Sequence, residues 1–288
     1  MTDQRSRALP LDGHLHTDQS PDSDVPVDAY ASLAVELGIA ELAITDHVDF
    51  DSRDPAYEYT TFADRERVVR DAAERWADHG VAIRFGVELT YHRRWEDDVR
   101  AHLARHRYDF TIGSVHDWPG SPYVRPIGDA WLTGRRLDDI VGPYFEEVAA
   151  AARSGLFDTI GHLDVVKRYL HPHVRPSQLA ERPDLYEPAL RALIESGTAL
   201  EVNSSGLRHT VAETYPTAAI VALYVALGGR LVTIGSDAHR SDWFAWRLDA
   251  AYRAAAEAGL ETLAFRRGGA RLAVPLPGLL TTSASRSL

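Results

Sequence analysis

The sequence predicts an α/β fold: a closed or nearly closed, TIM-barrel-like parallel barrel of seven βα units, with its functional site at the C-terminal rim of the strands. Three observations carry that expectation. Short apolar runs alternate with helix-period segments, no composition break divides positions 1–288 into separate domains, and a potential metal ligand follows nearly every apolar run. The last point separates a barrel from an open doubly wound sheet, the alternative architecture, which gathers its site at one switch point.

The expected strands, in order, are 9–16, 41–46, 81–89, 108–116, 157–162, 199–203 and 230–236. Each is a short run rich in Val, Ile, Leu, Phe or Thr, as strands buried on both faces require. Between the first two, Val27, Tyr30, Ala34 and Leu37 recur at helix spacing and predict a helix over 27–37. Three stretches, 49–61, 117–134 and 169–183, are rich in Pro, Gly, Asp or aromatic residues and are expected to be irregular walls of the site. Positions 1–8 and 281–288 are expected to be flexible ends.

Composition narrows the chemistry. With 288 residues, 45% hydrophobic and 25% charged, the chain can bury a substantial core. The absence of cysteine removes disulfides, thiolate catalysis and thiolate zinc sites, so any metal must be held by nitrogen and oxygen. The first residues read as neither a secretory signal nor a membrane span, so a cytoplasmic protein without a membrane partner is expected. A formal charge of −11 disfavours a nucleic-acid partner and suits a small anionic metabolite met locally by metals and a few arginines. No sequence pattern specifies an oligomeric state.

The ligand series is His14, His16, His47, Glu88, His116, His162, Asp237 and His239. Two residues apart on a strand, His14 and His16 point to the same face and can share one metal. Asp22 lies in a turn-like stretch and is either a further ligand or a capping aspartate, with Asp24 its rival for both roles. Glu88 ends an apolar run, where a lone carboxylate is costly. The segments YDFTIGSVH, FDTIGH and LVTIGSDAH repeat one pattern, a β-rich run, a glycine and then a ligand. Ser114 and Ser236 lie nearby, but neither stands in a nucleophile-elbow motif. The series predicts a multinuclear metal centre for hydrolysis.

With DGHLHT, TDH, GVEL, GSVH, GHLD, EVNSSGLR and GSDAH in this order, nearly the whole chain resembles the PHP superfamily, named for polymerase and histidinol phosphatase, and within it the stand-alone histidinol-phosphatase branch. The resemblance implies a distorted seven-stranded (β/α) barrel holding two to three divalent ions, zinc, manganese or iron. It implies that His14, His16, Glu88 and Asp237 hold a first metal, that Glu88 bridges to a second completed by His116 and His162, and that Asp22, His47 and His239 bind a third. Lys167, Arg168 and Arg208 are implied as phosphate contacts.

The implied reaction is hydrolysis of L-histidinol phosphate to L-histidinol and phosphate, a step of histidine biosynthesis. Water activated by metals held through Glu88 and Asp237 attacks phosphorus, with no covalent enzyme intermediate. Asp46 and Asn203 are candidates to orient ligands, and Asp117, His171 and His209 are candidate acids for the leaving group. Three other readings remain open: hydrolysis of another small phosphate ester, nucleic-acid phosphodiesterase or exonuclease activity, and a non-catalytic metal-binding module.

Overall fold

The computed structural model describes residues 9–117, 129–267 and 270–277. The two expected flexible ends and most of the 117–134 stretch lie outside these residues. Strands β1 (Leu11–Leu15), β2 (Glu41–Ile44), β3 (His47–Val48), β4 (Ala82–Thr90), β5 (Phe110–Ser114), β6 (Thr159–Ile160), β7 (Ala199–Asn203) and β8 (Val232–Gly235) form one parallel sheet, with β3 beside β4. The seven strands other than β3 run round a nearly closed barrel in chain order.

The barrel closes between β1 and the chain just beyond β8. Asp237 N donates to the His14 carbonyl at 2.8 Å and His16 N to the Ala238 carbonyl at 2.9 Å. The buried Tyr30 hydroxyl stands within 3.0 Å of both the His16 and Ala238 carbonyls, so its single proton ties the same seam from below. Tyr30 comes from the helix Val27–Leu37, found where the spacing predicts it, with Val27, Ala31 and Ala34 on the buried face. Gly38 ends that helix with a φ of 71°, a conformation that glycine adopts without a Cβ penalty.

All seven expected strands are present, β7 with the expected bounds, β4 at the expected length one residue later, and the other five shorter. The expected ligands His116, His162 and Asp237 lie two residues past the last strand residue, where the backbone has left the ladder and can aim a side chain across the rim. Glu88 instead lies inside β4, and His47 pairs directly opposite it on β3, a strand too short to show in the periodicity. The 169–183 stretch is more ordered than expected. It contains the end of a helix, Val166–Leu170, and a second helix, Pro176–Ala180, whose first-turn proline is preset for helical φ.

A feature the periodicity did not predict is the antiparallel pair β9 (Thr262–Arg267) and β10 (Ala270–Pro275). The β9 strand places Leu263 and Phe265 in the main core, with the Phe265 ring centroid 5.0 Å from that of Phe110. Among the described residues no helix is long and apolar enough to cross a membrane.

Because Phe265 is 2% exposed, truncation leaves a cavity as well as losing transfer energy. Phe265→Ala is expected to lower unfolding free energy by about 3–5 kcal/mol, measured by urea titration. A loss below about 1 kcal/mol would mean that the hairpin is not part of the core.

Candidate metal centre

The rim gathers the predicted series around Glu88. Its Oε2 lies 3.3 Å from His14 Nε2, 3.4 Å from His16 Nε2 and 3.0 Å from His47 Nδ1. Its Oε1 lies 2.9 Å from His162 Nε2 and 3.5 Å from His116 Nε2. Asp237 Oδ1 completes the first side, 3.5 Å from His16 Nε2 and 3.8 Å from His14 Nε2. Asp22 Oδ2 lies 3.2 Å from His239 Nε2 and 3.6 Å from His47 Nε2. Asp24, its rival, is exposed and faces none of these groups in the described site.

Three donor groups are compact enough for a shared ion: His14, His16 and Asp237; Glu88, His116 and His162; and His16, His47 and His239. His16 therefore stands between the first and third groups, a position that spacing alone did not indicate.

The chemistry of the donors fits cations. His14 Nδ1 donates to Glu201 Oε1 at 2.6 Å, which leaves a lone pair on Nε2 in the neutral ring. His16 Nδ1 stands 3.5 Å from Ser20 Oγ, a hydroxyl whose own proton goes to Asp46 Oδ1 at 3.0 Å, so His16 Nε2 also carries a lone pair. Those two nitrogens are 3.0 Å apart and face the same carboxylate oxygen. His116 repeats the arrangement, with Nδ1 3.1 Å from the Thr90 hydroxyl, as does His239, with Nδ1 3.1 Å from the Asp237 carbonyl. Lone pairs meeting in this way repel unless positive charge lies between them.

A proton meets only part of that need. His14 is made more basic, the effects of Glu201, Glu88 and Asp237 prevailing over the opposing effect of burial. His16 is driven well below the ordinary imidazole value by burial and by repulsion from His239 and His47, and burial also lowers His116. Burial favours the neutral forms of Glu88 and Asp237, but the surrounding imidazoles, His14 foremost, hold both carboxyls well below their usual range.

Members of the three donor groups form the floor of a cleft of about 240 Å³ whose wall includes Val165, Arg168, Tyr169, Ser205, Arg208, His209 and Trp243. Arg168 is exposed there, its guanidinium 5.3 Å from the Tyr169 ring centre. Arg208 lies over Trp243 and donates from Nη1 to the Ser236 carbonyl and from Nη2 to the Asp237 carbonyl, both at 2.8 Å. Each terminal nitrogen keeps a second N–H.

Lys167 requires a correction. It is fully buried, 2.9 Å from Asp164 and 3.2 Å from Glu213, and does not line the cleft. The turn of the helix Val166–Leu170 directs it inward, whereas Arg168 projects outward. Asp117 and His171 are also absent from the cleft wall.

Asp46 acts on His16 through Ser20, and Asn203 donates to Glu201 at 3.1 Å rather than reaching a ligand. Sequence reasoning missed Glu201, Ser20 and Thr90. Glu201 did leave a signal, a carboxylate in the middle of the apolar run ALEVN. The two hydroxyls had none, since Ser and Thr are ordinary at strand ends.

Comparison with known proteins identifies the family and the fold. The PHP domain family matches residues 12–205. A probable histidinol-phosphatase of Deinococcus radiodurans is 31% identical over 88% of this chain and 96% of its own length. Another from Thermotoga maritima is 32% identical over 80% of this chain and 84% of its own. Among solved structures, the histidinol phosphate phosphatase of Lactococcus lactis, complexed with zinc, L-histidinol and phosphate, superposes with a TM-score of 0.75 at 23% identity, covering 92% of this chain and 99% of that one.

The Thr90 hydroxyl accepts from His116 and bonds the Asp49 carboxyl. Thr90→Val keeps the shape and removes that link. It is expected to weaken divalent-metal binding at the Glu88, His116 and His162 group by about 10–100-fold in competition with a chelator. Unchanged affinity would show that Thr90 does not orient His116.

Proposed function

From the premise that the chain belongs to the PHP family, we propose that it is a metal-dependent phosphoric monoester hydrolase that converts L-histidinol phosphate to L-histidinol and phosphate, as a step of histidine biosynthesis. The observation that carries this reading is the division of Glu88 between two ligand groups at the floor of a small cleft with Arg168 on its wall. The names of the Deinococcus and Thermotoga relatives and the ligands of the Lactococcus enzyme direct the choice of ester. Positions 1–288 act as one phosphoesterase domain in a cytoplasmic setting.

Two or three divalent ions fit the donors, and zinc, present in the Lactococcus enzyme, is the first candidate. His14, His16, Glu88 and Asp237 would hold one, Glu88 with His116 and His162 a second, and Asp22, His47 and His239 a third, with His16 able to contribute. Such ions supply an activated water at neutral pH and neutralise charge on the phosphoryl group.

The remaining work belongs to the chain itself. Arg168 grips phosphoryl oxygens with a planar fork, and the second N–H groups of Arg208 add to the grip. By engaging the Ser236 and Asp237 carbonyls, Arg208 also fixes Asp237, whose φ of 53° lies in the left-handed region. Val165, Tyr169 and Trp243 offer apolar surface to the organic part of the ester. His209, pushed down to about 4 by burial and by Arg168 and Arg208, is neutral at pH 7 and can donate an N–H bond to the leaving oxygen.

Purified protein loaded with zinc or manganese is expected to release phosphate from L-histidinol phosphate with a higher kcat/KM than from other phosphomonoesters, and to leave single-stranded DNA intact. Diester cleavage without phosphate release from histidinol phosphate would overturn the assignment. Arg168→Ala is expected to raise KM by about 10–100-fold, the worth of a charged hydrogen bond, while metal content measured on the same sample stays the same. An unaltered KM would remove Arg168 from the phosphate site.

A further inference from the structure

Glu201 lies in β7, is 1% exposed, and touches both of the ligand groups that Glu88 joins. One oxygen, Oε1, accepts from His14 Nδ1 at 2.6 Å. The other, Oε2, accepts from the His162 backbone N–H at 2.8 Å and from Asn203 Nδ2 at 3.1 Å. His162 has a φ of 23°, a left-handed backbone that a non-glycine residue keeps only when its surroundings enforce it.

Two of the glycines that precede ligands in the sequence pattern border this carboxylate. A Cβ on Gly235 would lie 2.8 Å from Glu201 Oε1 and 2.3 Å from His14 Cβ. A Cβ on Gly161 would lie 2.5 Å from Ser114 Oγ and 3.5 Å from Glu201 Oε2. The recurring glycine in FDTIGH and LVTIGSDAH thus leaves room for Glu201 and the neighbours that pack with it. A buried carboxylate accepting three N–H groups, two of them from ligand residues, is too specifically placed to serve only as filler.

We infer that Glu201 is a positioning residue that couples the two halves of the metal centre, with one oxygen fixing the tautomer of His14 and the other holding the left-handed turn at His162. This rests on the ligand groups being a metal centre, but not on the identity of the phosphate ester. Glu201→Gln tests it with little change in volume. The carbonyl of the new amide must face His162 N and Asn203 Nδ2, both donors, which turns the NH₂ toward His14 Nδ1. That nitrogen then has to accept, the ring proton moves to Nε2, and the metal-facing lone pair is lost.

The experiment titrates wild type and Glu201→Gln with zinc against a chromophoric chelator, and records ¹⁵N-histidine NMR spectra of both, with fold checked by circular dichroism. The expected result is zinc binding weaker by about 10–100-fold in the variant. In zinc-loaded wild type, His14 should carry its proton on Nδ1 and zinc on Nε2, and in the variant the proton should lie on Nε2. A folded variant that binds zinc like wild type overturns the inference. If the variant does not fold, the wild-type spectrum decides: Nδ1–H with zinc on Nε2 supports the assignment, and any other state of His14 overturns it. Wild type that binds no zinc, manganese or iron overturns the metal reading and this inference together, whereas metal binding without phosphatase activity leaves the inference standing.

Discussion

The structure depends on where the two oxygens of Glu88 point. Held inside β4 and almost fully buried, this carboxylate meets His14, His16 and His47 through one oxygen and His116 and His162 through the other. A buried carboxylate needs partners, and here the partners come from four separate segments of the barrel rim. The barrel closes beside this cluster. Between β1 and the chain after β8, the closing hydrogen bonds run through the backbones of His14, His16 and Asp237, so fold closure and assembly of the first ligand group are one event.

Around this core, four of the six imidazoles have their outer nitrogen assigned by a neighbour of a different kind. Glu201 serves His14, Ser20 with Asp46 serves His16, Thr90 with Asp49 serves His116, and a backbone carbonyl serves His239. Such partners orient the rings and raise their power as ligands. They also make the centre intolerant of remaining without positive charge, because the inner lone pairs then oppose one another. The left-handed backbones at His162 and Asp237 belong to the same economy of placement. Each is held by a specific donor or acceptor, Glu201 in one case and Arg208 in the other.

Much of the architecture was legible because barrel physics writes itself along the chain. Parallel strands buried on both faces appear as apolar runs, and the rim where they end collects polar side chains, so strand order and the ligand series could be read together. The missing parts have physical causes. β3 spans only His47–Val48, too few residues to form a period. The β9–β10 pair lies outside the parallel ladder, and its role as core filler depends on where Phe265 packs. Lys167 and Arg168 look alike in sequence, yet the rotation of about 100° between adjacent helix residues sends the first to Asp164 and the second to the cleft. Partners such as Ser20 and Thr90 act over distances in space that no spacing rule encodes.

The claim that Glu88 joins two metal groups is most directly tested by anomalous diffraction at the zinc absorption edge, using crystals of the protein grown with zinc. The account predicts separate peaks on the two sides of Glu88, one within ligand distance of Oε2 together with His14, His16 and Asp237, the other within ligand distance of Oε1 together with His116 and His162. Strong zinc peaks elsewhere on the molecule, with none in reach of Glu88, would contradict it.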